Sequence, residues 1–321
     1  MKMNMVSALN QALLQEMGND DSTVLIGEDV GVDGGVFRVT QGLIEEYGSR
    51  RVIDSPLSES GIIGVSVGMA MNGLRPIAEL QFMGFSYLGI NQMIAHAARM
   101  RNRTRGRLTV PMVLRMPYGG GVKALEHHSE STESLYVQIP GQKVVVPSTP
   151  KEAKGLLISS IRDPDPVVFL EPKRNYRLMK EEVAEEEFTT PLGEARVVTE
   201  GDDVTIVGWG AMIPRIQKAM EGREDSAEII DLRTLSPMDT DTVISSVKRT
   251  GRAMVVHEAP MTCGVGAEIS ARIHERAILH LEAPVVRVTA PDITVPLPQS
   301  EDYYYIGTDR ISDGLNRVME F

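Results

Sequence analysis

Short apolar runs alternate along the chain with longer stretches in which apolar positions recur every three or four residues. TVLIG (23–27), VID (52–54), PIAELQF (76–82), PMVLRM (111–116), KVVVPS (143–148) and PVVFLEP (166–172) read as short buried strands. Between them Met5–Met17, Ser58–Asn72, Gly84–Met100 and Lys151–Ile161 carry the helical period. The alternation resumes with DVTIVGWG, AEIIDLRTL, RAMVVHEA and PVVRVTA, each followed by a helix, and closes with a helix near Thr308–Met319. Buried strands alternating with helices predict βα units and parallel sheets. The pattern breaks once, at PKRNYRLMKEEVAEEEFTTPLG (172–193), where glutamates crowd between prolines. Such a segment reads as a linker. The fold class predicted is therefore α/β with two domains: residues 1–190, including a linker at 172–190, and residues 191–321.

A chain of 321 residues suits two domains, and 42% hydrophobic with 24% charged residues is ordinary for a globular protein. The net charge of −11 speaks against nucleic acid and anionic membranes as partners. No basic cluster interleaved with aromatics appears, and the uncharged run Ser60–Leu74 is too short and glycine-rich to span a bilayer. Cys263 is the single cysteine, so no internal disulfide forms. A reducing, cytoplasmic residence is the simplest expectation.

Four constellations could carry chemistry. Glu59 stands alone at the head of a Gly-rich, uncharged helix (Gly61, Gly64, Gly68, Gly73). As a first-turn carboxylate behind a capping Ser58 it is unremarkable. As a buried carboxylate among apolar groups it would hold a proton above the usual range and share it with a ring nitrogen, the glycines letting another backbone or a flat ligand approach. EHHSES (126–131) follows the loop YGGGVKA. Adjacent histidines point apart in regular structure, which disfavours a shared metal; a catalytic or substrate-binding histidine on a loop is the sharper reading, and a surface loop the bland one. ELQFMGFSYLG (79–89) sets Phe82, Phe85 and Tyr87 just past a strand end, where parallel sheets bind ligands, although core packing accounts for aromatics equally well. CGVGAEIS (263–270) lacks the third glycine of a dinucleotide turn and reads as a strand-to-helix turn; His257 and Glu258 before it are expected to face an interface.

Taken together, GEDVG (27–31), DSPLSESGIIGVSVGMAMNGLRPIAELQF (54–82), HHSES (127–131), KGLLISSIRDPDPVVFLEPK (154–173), IDLRTLSPMDTDTV (230–243), TGRAMVVHEAP (250–260) and GVGAEIS (264–270) resemble one family along nearly the whole chain. It is the beta subunit of the thiamine-diphosphate-dependent 2-oxo acid dehydrogenase (decarboxylase) component, found in pyruvate and branched-chain complexes. The resemblance implies an N-terminal pyrimidine-binding domain and a C-terminal transketolase-type domain. It implies that Glu59 donates to the aminopyrimidine ring of the cofactor, that Phe85 packs on that ring, that Leu57 gives an apolar contact and that Gln81, with Glu79, lies beside it. His128 is implied at the mouth of the site, orienting the reacting groups and supplying a proton in acyl transfer; His127 departs from the usual neighbour. A structural potassium ion held by the carbonyls of Met112, Ser160, Ile161, Asp163 and Asp165 is implied as well.

The diphosphate-binding motif that begins GDG does not occur here. The resemblance therefore implies an alpha subunit that holds magnesium and the diphosphate, an α2β2 assembly with the C-terminal domain at the β–β contact, and a lipoyl-bearing acyltransferase core as acceptor. LEPKRNYR and Gln81 resemble branched-chain members more, so a branched-chain 2-oxo acid is favoured and pyruvate is kept. A split transketolase-like subunit and a non-catalytic scaffold are the competing readings.

Overall fold

The computed structural model describes residues 1–321. Six strands of the first sheet run parallel: β2 (Thr23–Gly27), β3 (Val52–Asp54), β4 (Arg75–Glu79), β5 (Val113–Tyr118), β6 (Lys143–Val145) and β7 (Val167–Pro172). They lie in the order β6-β7-β5-β4-β2-β3. A short ribbon joins β1 (Lys2–Met3) to β8 (Glu181–Glu182). The second sheet has the order β14-β13-β10-β11-β9, with β9 (Arg196–Thr199) antiparallel and β10 (Val204–Gly208), β11 (Ala227–Asp231), β13 (Ala253–Pro260) and β14 (Val286–Ala290) parallel. The strands read as buried runs because helices cover both faces.

Local chemistry sets the helix starts. Asn4 Oδ1 accepts from the Ser7 amide at 2.9 Å and opens Met5–Asn19; Thr149 and Pro150 open Pro150–Arg162. These two helices pack together beneath the sheet, burying Leu9, Leu13 and Met17 against Leu156 and Leu157.

Four expectations need correction. The run AEIIDLRTL is two strands, because Arg233 takes a left-handed φ of 55° and turns the chain. The second piece, β12 (Thr234–Ser236), adds antiparallel to β6 in the first sheet. Arg233 is held there by Glu152 at 3.1 Å and by the Glu194 carbonyl at 2.8 and 3.0 Å. Second, the strand read over 76–82 stops at Glu79 and the helix read over 84–100 is broken into 3₁₀ turns (Met83–Leu88, Ala97–Arg99) and short α pieces. Gly84 lies against the His127 carbonyl and Gly89 against Ile63 and the Glu59 carbonyl, contacts a regular helix would not reach. Third, His257 lies inside this chain, stacked on Trp209 at 5.2 Å with 9° between the rings. Gly264 and Gly266 in CGVGAEIS are the residues that make room for its imidazole. Burial pulls its pKa down to about 4, so it is neutral at pH 7.

Fourth, the acidic segment read as a linker is docked on the first domain. Lys154 is fully buried, and its ammonium donates to the carbonyls of Ala184 (2.7 Å), Glu185 (3.1 Å) and Glu186 (2.8 Å) and to Gln11 (2.8 Å). The segment winds round a single cation, and Val183 and Phe188 pack beside it. One apolar core, running from Ile26 and Met83 through Tyr118 and Trp209 to Val265 and Ile273, then joins the two sheets.

Replacing Lys154 with Met leaves these carbonyls without their donor. The variant should lose roughly 2–3 kcal/mol of stability, because buried acceptors are expensive to leave unpaired. Limited proteolysis should cut first within 181–190; an unchanged melting temperature and cleavage pattern would contradict this account of the segment.

Candidate active site

The residues singled out from the sequence converge at the carboxyl ends of the parallel strands, where such sheets place their ligands. β2 leads into Glu28 and Asp29, β3 into Leu57 and Glu59, β4 into Gln81 and Phe85, β5 into the loop bearing His128, and β7 into Lys173. Glu59 is the first residue of the helix Glu59–Met71, behind Ser58, whose hydroxyl accepts from the Gly61 amide at 3.3 Å. It is also buried. The Glu59 carboxyl is therefore placed where a helix start favours negative charge and where its surroundings withdraw it from water. Burial, and next the charge of Glu59, push the neighbouring Glu28 carboxyl above its ordinary range.

The rim is apolar and open: Leu57 is 76% exposed, Leu88 70% and Val32 82%. The outer face of the Glu59 helix carries exposed Gly61 and Gly68, and nothing lies within 4 Å of the Cβ position at Gly68. Within this chain the close approach is made at Gly89 instead.

His128 is half-buried and points into an aromatic pair, with ring centroids 4.6 Å from Phe82 and 5.1 Å from Phe85, both edge-on. Its Nδ1 is buried and has no hydrogen-bond partner. His127 is exposed on the other side, 6.3 Å from Tyr87. The two imidazoles diverge, and no group of three or more His, Cys, Asp or Glu side chains is placed to hold a metal ion. Tyr87 donates to Glu130 at 2.8 Å and steadies the loop. Gln81 donates to Asp29 at 2.9 Å across the mouth. Glu79 turns away into the sheet, where it pairs with the buried Arg115.

The positions proposed for potassium gather at the opposite corner, around the last turn of the helix Pro150–Arg162. The carbonyls of Met112 and Ser160 accept backbone amides, and that of Ile161 accepts from the Arg75 guanidinium at 2.9 Å. Asp163 and Asp165 pair with Lys143 and Arg101, at 2.7 and 2.6 Å. With a guanidinium already on one proposed ligand the fit to a cation is incomplete, and no chemistry is assigned to it.

Several features escaped sequence reading. Arg115, inside PMVLRM, is fully buried and bonds Glu171 at 2.8 Å through two nitrogens. Lys173 is buried, donates to the His128 carbonyl and lies 5.1 Å over the Phe82 ring. The glycines of YGGG are explained by what they touch: a Cβ at Gly119 would meet Glu258, at Gly120 the Tyr305 ring, and at Gly121 Arg174. A run of three glycines between a strand and a histidine-bearing loop was the available signal.

Comparison with known proteins decides the family. Residues 1–179 match the transketolase pyrimidine-binding domain and residues 193–311 the transketolase C-terminal domain. The chain is 54% identical over 317 residues to the pyruvate dehydrogenase E1 component subunit beta of Acholeplasma laidlawii, covering 98% of this chain and 97% of that one. It is 50% identical over 323 residues to the protein of the same name from Bacillus subtilis (strain 168), covering 100% and 99%. The chain belongs to the family of pyruvate dehydrogenase E1 beta subunits. In solved structures the fold recurs in a split-gene transketolase described as an inactive β4 tetramer, with TM-score 0.80 and 19% identity over 99% of this chain and 98% of that one. That likeness concerns the fold. Membership makes this E1 beta chain an enzyme component of a thiamine-diphosphate-dependent class, which works with an alpha subunit inside a dehydrogenase complex.

Just beyond the histidine loop, Glu133 is fully buried, and burial pushes its carboxyl up to about 7. The folded state keeps this proton between about 4.5 and 7 while the unfolded chain has lost it, so rising pH through that window costs stability. Glu133→Gln should therefore raise the melting temperature at pH 8 by several degrees and change it little at pH 5. Equal shifts at both pH values would show that Glu133 is not held protonated by its surroundings.

Proposed function

We propose that this chain is the beta half of a thiamine-diphosphate-dependent pyruvate decarboxylase that passes the acyl group to a lipoyl group on an acyltransferase core. The single observation that carries the reading is Glu59, a buried carboxylate at a helix start beside an open apolar rim. The residues fit the aminopyrimidine half of the cofactor: Leu57 and Leu88 offer apolar contact, Phe85 a half-buried ring, and the unpartnered Nδ1 of His128 a polar atom in reserve. Bound cofactor would supply the electron sink on which a 2-oxo acid loses carbon dioxide. Glu59 would donate to the ring nitrogen of the aminopyrimidine. His128 would meet the incoming lipoyl group at the mouth and supply a proton in acyl transfer.

Substrate choice follows the relatives, whose names specify pyruvate. Gln81, one of two features that favoured a branched-chain acid, is engaged by Asp29 and so is not free to select a side chain. The diphosphate motif is not in this chain, which supports an alpha subunit carrying magnesium and the diphosphate, in an α2β2 heterotetramer. The exposed Leu57, Leu88 and Val32 and the bare glycine face of the Glu59 helix suit burial under that partner. A cytoplasmic location accords with these partners, and no helix is long and apolar enough to cross a membrane.

Glu59→Gln, assembled with the alpha subunit, should lower turnover of pyruvate by roughly 10²–10⁴-fold, the span of general acid–base contributions, while elution as a heterotetramer is preserved. Normal turnover by that variant would refute the assignment. Wild-type assembly given pyruvate and 3-methyl-2-oxobutanoate in parallel should prefer pyruvate; the reverse preference would restore the branched-chain reading.

A further inference from the structure

The loop that carries His128 is held from below at two consecutive carbonyls. The Lys173 ammonium donates to the carbonyl of His128, and the Tyr305 hydroxyl donates to that of Ser129 at 2.8 Å. The two donors come from different halves of the molecule. Lys173 follows β7 of the first sheet, whereas Tyr305 follows the helical turn Glu301–Tyr304 beyond the second sheet. Both are buried. They are also tied to each other, since Arg174, next to Lys173, stacks its guanidinium 4.2 Å over the Tyr305 ring and lies 3.6 Å from the Glu258 carboxylate. Gly119 and Gly120, where the loop begins, lie directly against Glu258 and the Tyr305 ring.

Lys173 reaches the imidazole by a second route as well. Its ammonium lies 5.1 Å over the face of Phe82, and Phe82 meets the His128 ring edge-on at 4.6 Å. A cation on one face of an aromatic ring is attracted by its quadrupole and orders that ring. Backbone and side chain of His128 are thus set by one buried amine. Burying an ammonium is costly unless it is well paired, so a lysine in this place has a positional role that a methionine could not fill. Burial pulls its pKa down to about 7, opposed by Glu258 and Glu301, and the amine can donate to the His128 carbonyl in either protonation state.

We infer that Lys173 and Tyr305 are positioning residues for His128: a two-point clamp across the domain seam that sets the histidine for acyl transfer. The inference rests on the role given to His128 above. The clamp joins the loop to the seam, so loosening it frees the loop without disturbing Glu59, which sits on a different strand end. The loss should fall on the lipoyl half of the reaction.

The test uses the assembled heterotetramer with an isolated lipoyl domain as acceptor and, separately, an artificial dye acceptor. Lys173→Met should lower kcat for acyl transfer to the lipoyl domain by roughly tenfold or more, as small misplacements of a reacting group do, and affect the dye-coupled rate much less. Lys173→Arg should recover most of the loss. Lys173→Met should add little to His128→Ala, because two residues acting as one unit are not additive. Amide hydrogen exchange over 126–131 should rise in Lys173→Met. Should Lys173→Met fail to fold, Tyr305→Phe removes one hydroxyl and should reproduce the same split with a smaller loss. Equal losses in both assays, or full additivity with His128→Ala, would overturn the clamp. If His128→Ala itself leaves acyl transfer intact, the role of the histidine fails, and the clamp with it, whereas an impaired His128→Ala beside an unimpaired Lys173→Met overturns the clamp alone.

Discussion

Arg115 is the charge around which the first sheet is organised. It projects from β5 and binds Glu79 of β4 on one side and Glu171 of β7 on the other, and Glu171 accepts in turn from Tyr176. Those three strands deliver Phe85, the His128 loop and Lys173. The pairing of Glu79 with Arg115 in the ladder leaves no freedom to slip. A one-residue shift would turn every side chain to the other face, and a buried carboxylate would lose its cation. Such networks contribute little net stability compared with apolar packing, and removing one partner is strongly destabilising. Their value here is register, fixed just below the point where the chemistry begins.

Above that network the site is divided. Phe85 and His128 meet edge-on, the buried Glu59 stands at another strand end, and Leu57, Leu88 and Val32 are left exposed. On the proposed reading this is a half-site that serves the aminopyrimidine side of the cofactor. The second domain braces the first through the shared apolar core, the strand Thr234–Ser236 added to the first sheet, and the contacts of Tyr305 and Glu258 with the YGGG loop. The geometry of the His128 loop is therefore a property of two domains held together, which accounts for buried cations at the seam such as Lys173 and Arg233.

Much of this was legible in the sequence. Thr23–Gly27, Val52–Asp54 and Thr308–Met319 have the limits their patterns predict, because each is a clean apolar run or helical period with its own stop signals. Ser58 caps the Glu59 helix as its sequence suggests, and Asn72 closes the other end. The misses share one physical cause: a long-range contact overrode a local pattern. The helix read over 84–100 breaks where it must pass over the Glu59 helix and the His127 carbonyl. The strand read over 227–235 divides because the second sheet ends at Asp231 and Thr234–Ser236 finds a partner in the first. The acidic segment reads as a linker, and nothing in its composition announces that its carbonyls surround a lysine thirty residues earlier. Lys173 was visible only as part of a charged KR pair; its burial depends on the fold of the second domain.

The central claim is that this chain supplies only one half of a cofactor site. It is tested most directly by calorimetric titration of thiamine diphosphate, with magnesium present, into the chain alone and into the chain assembled with its alpha subunit. The account predicts saturable binding by the assembly and none by the isolated chain at the same concentrations. Equal affinity for the chain alone would contradict it.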